Sequence, residues 1–370
     1  MGAGHWLLLR TDAQMKNIGI LTFHYVDNYG AVLQAWALRK VLNSMPGVNA
    51  EIINYIPDGY MIWPYICSEK GISDMKRKRE RYEFFLTEKC GITDGRINQV
   101  SGDGYDYCCV GSDQVWNLKF RENATYEYLF PNLNDDVPRF SYAPSIGGMI
   151  EEKDKGRFLE WLSRFKSISV REEYSVGDLA RMGVSGAVTV IDPTLLLQEK
   201  DYEALIEEPE NKPDKYIFFF SYPIDEDMRR YAPFVNRLAI ENGLNIMHSF
   251  PDAPAHLFIC DCGSMMYEGI GEFLWYMKHA SVVVTTSYHG AIFGRLFDHP
   301  TYIIRRNTGW GRFEHLNKIM GLENAVVSDD WLMKNWDIDR YYAKDELDIW
   351  RRKSINFLNG SLDNRKKRDD

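Results

Sequence analysis

The segment Ser281-Val-Val-Val-Thr-Thr-Ser-Tyr-His289-Gly290-Ala-Ile-Phe-Gly-Arg295 carries a whole strand–turn–helix unit and constrains the fold more than any other stretch. β-Branched apolar residues stop at a small polar turn, and a helical apolar period begins directly after it. The same alternation recurs along the chain. Residues 17–23, 51–55, 106–110, 139–143, 167–170 and 187–191 read as strands, and 216–220, 244–248, 281–285 and 301–304 continue the series. Helical patterns separate them, at 30–42 and 231–241 for example. Strands alternating with helices predict βαβ units and mostly parallel sheets.

The expected architecture is α/β, with two Rossmann-like doubly wound domains facing across a cleft. Residues 15–196 make the first domain and 215–335 the second, and the acidic stretch 197–214, with Pro209 and Pro213, reads as their linker. Residues 336–370 are expected to hold a C-terminal helix and a charged tail, and 1–14 an irregular extension. A chain of 370 residues is long for one core, which agrees with two domains.

Composition narrows the function classes. A formal net charge of −9 argues against a general nucleic-acid binder, which needs a basic face to displace phosphate counterions. No apolar run approaches the ~18 residues of a membrane span. The six cysteines show no C-x-x-C pair or disulfide framework, so a cytoplasmic location is expected. His248, His256, Cys260 and Cys262 match no common zinc spacing, and no metal or cofactor is expected.

Candidate chemistry gathers where strands end. His289 and Gly290 fall at the carboxyl end of a buried strand and the N-terminus of a helix, where free N–H groups favour an anion. An imidazole there predicts acid–base chemistry on a phosphate- or carboxylate-bearing substrate; the alternative is a histidine that merely caps the turn. Three further loops stand at strand ends in the first domain. Thr22-Phe-His24-Tyr-Val-Asp-Asn28-Tyr29-Gly30 leads into a helix. Val110-Gly-Ser112-Asp113-Gln114-Val-Trp116-Asn117 offers several hydrogen-bonding tips, and Ser169-Val-Arg171-Glu172 places a guanidinium suited to bidentate recognition of carboxylate or phosphate. The plain alternatives are Asn28 as a helix cap, Asp113 as a turn residue and Arg171 paired with a glutamate. No Gly-x-Gly-x-x-Gly follows the first strand, and neither a Walker lysine nor a Gly-x-Ser-x-Gly elbow is present.

In series, these segments resemble the polysaccharide pyruvyltransferase family, whose two-domain fold is similar to that of GT-B glycosyltransferases. The resemblance rests on 19–24 with 28–38, then Val110-Gly-Ser-Asp-Gln-Val-Trp-Asn117 and Tyr142-Ala-Pro-Ser145. Ser169-Val-Arg-Glu-Glu-Tyr-Ser175, Val190-Ile-Asp-Pro-Thr194 and Thr286-Ser-Tyr-His-Gly290 follow in the family's order. It implies transfer of pyruvate from phosphoenolpyruvate onto two hydroxyls of one sugar, giving a cyclic ketal in cell-surface polysaccharide (exopolysaccharide) biosynthesis. His289 then looks like the general acid, and Asp113 like the carboxylate that takes the hydroxyl proton or holds the sugar. Arg171, Ser287, Tyr288, Gly290 and Arg312 would hold the donor. His24, Asn28, Tyr29, Gly30, Ser112, Gln114 and Trp116 would hold the acceptor.

Some family members carry an arginine where this chain has Ser287. Arg295, Arg306 and Arg312 are the candidate replacements, and Arg312 is preferred because 309–314 reads as a loop able to close over a ligand. The expected acceptor is a lipid-linked or nucleotide-linked saccharide. The basic run Lys76-Arg-Lys-Arg79 with Arg81 suggests a peripheral contact with the inner membrane face, against a simple solvated helix face. Two rival functions share the fold. One is a nucleotide-sugar glycosyltransferase holding ribose through Glu268 or Glu272, and the other is a non-catalytic saccharide-binding protein.

Overall fold

The computed structural model describes residues 15–58, 69–119, 126–221, 225–250, 257–306, 309–327 and 346–363, with backbone alone for 69–72 and 225–228. The 1–14 extension, Cys67, His256 and the tail from residue 364 lie outside the described residues.

The first lobe is a parallel sheet of β1 (Lys16–Leu21), β2 (Val48–Ile52), β3 (Tyr107–Val110), β4 (Arg139–Ser141) and β5 (Phe165–Ser167), ordered β2-β1-β3-β4-β5. Its helices are α1 (Tyr29–Asn43), α2 (Glu69–Phe85), α3 (Glu152–Leu162) and α4 (Glu173–Arg181). Asn28 starts α1 by accepting from the N–H groups of Gly30 and Ala31, so the cap reading of this residue holds. The strand expected over 167–170 is divided. Its first part completes the sheet, and β6 (Ser169–Val170) turns away to pair with β7 (Val188–Thr189).

After a short helix α5 (Glu199–Tyr202), the second lobe is built on β8 (Tyr216–Phe220), β9 (Asn245–His248), β10 (Asp261–Ser264), β11 (Val282–Thr285), β12 (Thr301–Ile304) and β13 (Val326–Val327). These are all parallel in the order β10-β9-β8-β11-β12-β13, with helices α6 (Asp225–Asn242), α7 (Ile270–His279), α8 (Tyr288–Leu296) and α9 (Gly311–Met320) between them. Both orders are doubly wound, and each reverses direction at one point: between β1 and β3, and between β8 and β11. Ligands bind such sheets outside the carboxyl ends of the strands at the reversal.

The two reversals face each other. One apolar cluster runs through both lobes, taking in Ile18 and Leu33 from the first and Phe218 and Phe273 from the second. Across the seam Tyr29 stacks on Phe273 with centroids 4.5 Å apart, and its hydroxyl donates to the Glu268 carbonyl at 2.9 Å. The last helix, α10 (Leu347–Leu362), returns to the first lobe. Ser354 Oγ accepts from the Ile191 N–H, Arg351 donates to the Leu195 carbonyl, and Lys16 and Tyr107 donate to the Leu362 carbonyl. No helix among the described residues is long and apolar enough to cross a membrane.

Candidate active site

His289 sits in the first turn of α8, directly beyond β11, at the reversal point of the second sheet. Its imidazole lies against the start of α1, which follows β1 at the reversal point of the first sheet. The approach is so close that a Cβ on Gly30 would stand 2.1 Å from His289 Nδ1. Only glycine allows this contact. On its other edge, His289 Nε2 is 3.4 Å from Oδ2 of Asp192, a fully buried carboxylate.

Asp192 is the centre of the site. Its Oδ1 accepts from the Thr194 N–H and hydroxyl at 3.0 and 2.7 Å. Its Oδ2 accepts from Arg171 Nη1 at 3.0 Å and from Ser112 Oγ at 3.2 Å. Burial alone would raise this carboxyl's pKa, but the facing His289 imidazole, the Arg171 guanidinium and Thr194 hold it well below the usual carboxylate range. An ionised carboxylate therefore faces the imidazole and orients it. Sequence reasoning assigned Asp192 no role. Its signal was the Asp-Pro-Thr start of a short helical turn, which Asp192 caps.

Arg171 is buried against Asp192 and against Glu172, whose Oε1 is 3.3 Å from Nε, and its guanidinium lies 4.4 Å from the Tyr288 ring centroid. Burial opposes its charge, but Tyr288, Glu172 and Asp192 more than offset this and raise its pKa. The structure thus corrects the expectation of an open donor clamp. Two carboxylates take most of the guanidinium, and only Nη2 lacks a hydrogen-bond partner. The imidazole and the guanidinium do converge, but on Asp192. Buried atoms of Glu172 (Oε2), Ser175 (Oγ) and His289 (Nε2) also lack hydrogen-bond partners, a density unusual for a protein interior away from ligand sites.

Other expected residues have structural employment. Ser287 caps α8, accepting from the Gly290 N–H at 3.3 Å, and a Cβ on Gly290 would strike Thr285 Oγ1. Asp113 lies half-buried after β3 with φ 71°, its carbonyl accepting from Ser145 N–H, and its charge acts on Arg171. Gln114 accepts from the Asn117 side chain.

Burial bears on four of the expected residues. His24 was expected to hold the acceptor, but it is buried, with its ring nitrogens against the Thr22 carbonyl and Asn54 Oδ1. Trp116 is fully buried, its indole donating to the Tyr128 carbonyl and its ring edge-on to Phe158 and Phe165, so it offers no face to a sugar. Tyr29 and Tyr288 are likewise packed, one on Phe273 and the other on Arg171 and Phe313.

Of the candidate cations, Arg295 pairs with Asp298 and donates to the Met320 carbonyl near the far end of α8. Arg312 stays half-buried at the start of α9, close enough for its charge to act on Tyr174 and Tyr288. In the basic run of α2, Lys76 is exposed. Arg77 is within 3.9 Å of Asp74, Arg79 holds Asp27 and Glu83, and Lys78 turns inward. Arg81 bridges to Glu268 and Glu272 of the second lobe, and this pairing occupies the two carboxylates that a ribose would need. Two cavities of about 260 and 120 Å³ lie elsewhere, between α2 and α7 and beside residues 116–119; neither is lined by His289 or Arg171.

A family model described as polysaccharide pyruvyl transferase matches residues 28–308. A search of curated protein sequences finds no match. Among solved structures, the S. aureus MnaA–UDP complex superposes with a TM-score of 0.52 at 13% identity, covering 94% of this chain and 97% of that one. UDP-N-acetylglucosamine 2-epimerase from Rickettsia bellii gives 0.52 at 10%, covering 94% and 96%. The enzyme from Neisseria meningitidis bound to UDP-GlcNAc gives 0.51 at 9%, covering 94% and 100%. At such identities the likeness is one of fold, a GT-B-like pair of lobes.

Proposed function

Because the chain belongs to the polysaccharide pyruvyl transferase family, we propose that it moves pyruvate from phosphoenolpyruvate onto two hydroxyls of a saccharide, closing a cyclic ketal. The observation that carries this reading is the His289–Asp192 pair at the meeting of the two sheet reversals, with α8 beginning beside it. Protonation of the donor's methylene carbon makes C2 electrophilic, and a histidine is suited to give that proton near neutral pH. Asp192 holds the imidazole in orientation through the 3.4 Å contact, and Arg171 holds Asp192. A sugar hydroxyl then bonds to C2, and the neighbouring hydroxyl closes the ring as phosphate departs. On this reading Asp113 takes a hydroxyl proton.

The donor's negative charge meets Nη2 of Arg171 and the Arg312 guanidinium, together with the N-terminal turn of α8. Substrate entry requires α1 and α8 to part, since Gly30 and His289 now touch. A nucleotide- or lipid-linked saccharide is the acceptor class on this reading, and no metal is invoked in any step.

Incubation with phosphoenolpyruvate and a panel of galactosides and mannosides, with phosphate release as readout, tests the proposal. Release that needs both substrates and falls by about 10²-fold or more in His289→Ala is expected. Turnover of a nucleotide sugar instead, or undiminished release by the variant, would overturn it.

A further inference from the structure

Lys78 lies on α2 in what reads as a solvated basic run, yet it is 2% exposed. Its ammonium rests over two aromatic faces, 4.8 Å from the Tyr29 centroid and 5.5 Å from that of Tyr82. Tyr29 immediately precedes Gly30, the residue packed on His289. Among the described residues no carboxylate comes within ion-pair distance of Lys78, and no oxygen accepts a hydrogen bond from it. The nearest acid in charge terms, Asp27, is instead engaged by Arg79 at 3.2 Å, and the same arginine donates to the Tyr25 carbonyl. Arg79 therefore fixes the loop before α1 and engages Oδ1 of its carboxylate, leaving Oδ2 without a hydrogen-bond partner and beyond ion-pair distance of Lys78. Across the seam, Glu268 and Glu272 are taken by Arg81 in the same way.

Burying an ammonium without an anionic partner is expensive, and chains retain such groups where an arriving ligand supplies the missing charge. The tyrosine faces hold the cation in place by attraction to their π clouds, without neutralising it. We infer that Lys78 receives an anionic group of a substrate, a phosphate or a carboxylate, at the seam beside α1. The inference deepens the pyruvyl-transfer reading by adding a further cation to Nη2 of Arg171 and to Arg312. Burial lowers the Lys78 pKa to about 8, with Asp27 acting against the fall, so the group remains charged near neutrality. Two sources share the recognising chemistry: the donor's phosphate and carboxylate, or the phosphate of a nucleotide-linked acceptor.

Calorimetric titration of the wild-type chain and Lys78→Met, separately with phosphoenolpyruvate and with a UDP-hexose, tells them apart. Methionine keeps the volume and loses only the charge. The expected result is that one of the two ligands binds about tenfold or more weakly to Lys78→Met. Weakening of phosphoenolpyruvate assigns Lys78 to the donor, and weakening of the UDP-hexose assigns it to the acceptor. Lys78→Gln gives the same loss should the methionine variant fold poorly, while Lys78→Arg restores part of it. Unchanged affinity for both ligands in Lys78→Met and Lys78→Gln overturns the inference, as does absence of binding of either ligand by the wild type. Phosphate release by the wild type, measured separately, reports on pyruvyl transfer itself, so the two ideas fail independently.

Discussion

Gly30→Ala adds one carbon at the most crowded point of the site. The new Cβ would stand 2.1 Å from Nδ1, 2.3 Å from Cγ and 2.7 Å from Cβ of His289. Ordinary contact begins near 3.4 Å, so Nδ1 must retreat by 3.4 − 2.1 = 1.3 Å. Because His289 Cβ is itself too near, turning the ring does not relieve the overlap, and α8 must shift away from α1. Overpacking of this kind costs about 1–3 kcal/mol. At about 2.1 cal/mol/K per residue, 370 residues give an unfolding entropy near 0.8 kcal/mol/K, so Tm should fall by about 1–4 °C.

The effect on catalysis should be much larger, since misplacing a reacting group by about 1 Å costs about 10²-fold. Steady-state phosphate release and a thermal melt measure both. Gly156→Ala is the control: its Cβ meets nothing within 4 Å on the exposed side of α3, so it should gain up to ~1 kcal/mol with unchanged turnover. A Gly30→Ala protein with wild-type kcat and wild-type Tm would refute the placement of His289 against α1.

Asp192→Asn keeps the contacts to Thr194 but removes the charge that Arg171 and His289 face. Breaking this buried pair should destabilise the chain by about 3–5 kcal/mol in a thermal melt and lower turnover by about 10²-fold or more; unchanged turnover would show that His289 works without it. The pH dependence of Tm has a defined sign. Burial lowers the pKa of His24, so the unfolded chain binds the extra proton first, and stability present above about pH 6.5 is lost as pH falls below it. Asp192, also depressed, adds a second loss below about pH 4. Replacing His24 with Gln should make the first decline in Tm shallower, and an identical slope would count against it.

The sheet architecture was legible because its strands are short apolar runs, Val282–Thr285 and Tyr216–Phe220 being fully buried. β10, Asp-Cys-Gly-Ser, was not, since a half-exposed edge strand carries no apolar run. β13 escaped for its length, two residues. β2 lies three residues earlier than its apolar signal suggested. The alternation of Val48, Ala50 and Ile52 sets the pairing with β1, and Ile53–Tyr55 runs on past the sheet. His289 was legible from its strand–helix junction. The role of Asp192 was not, because its partners Ser112, Arg171 and His289 come from separate segments that only the tertiary fold brings together. Lys78 misled for a related reason. A helical charge run looks solvated until a second element covers it, and here Tyr29 does so.

The return of α10 onto the first lobe bears on how the protein is made. The Ile191 N–H, the Leu195 carbonyl and the Lys16 ammonium each meet a partner on α10. During synthesis the first lobe therefore keeps part of its surface uncovered until α10 has left the ribosome. A nascent chain stalled before α10 should stay a client of chaperones, and the final helix acts as the closing stitch of the half that was translated first.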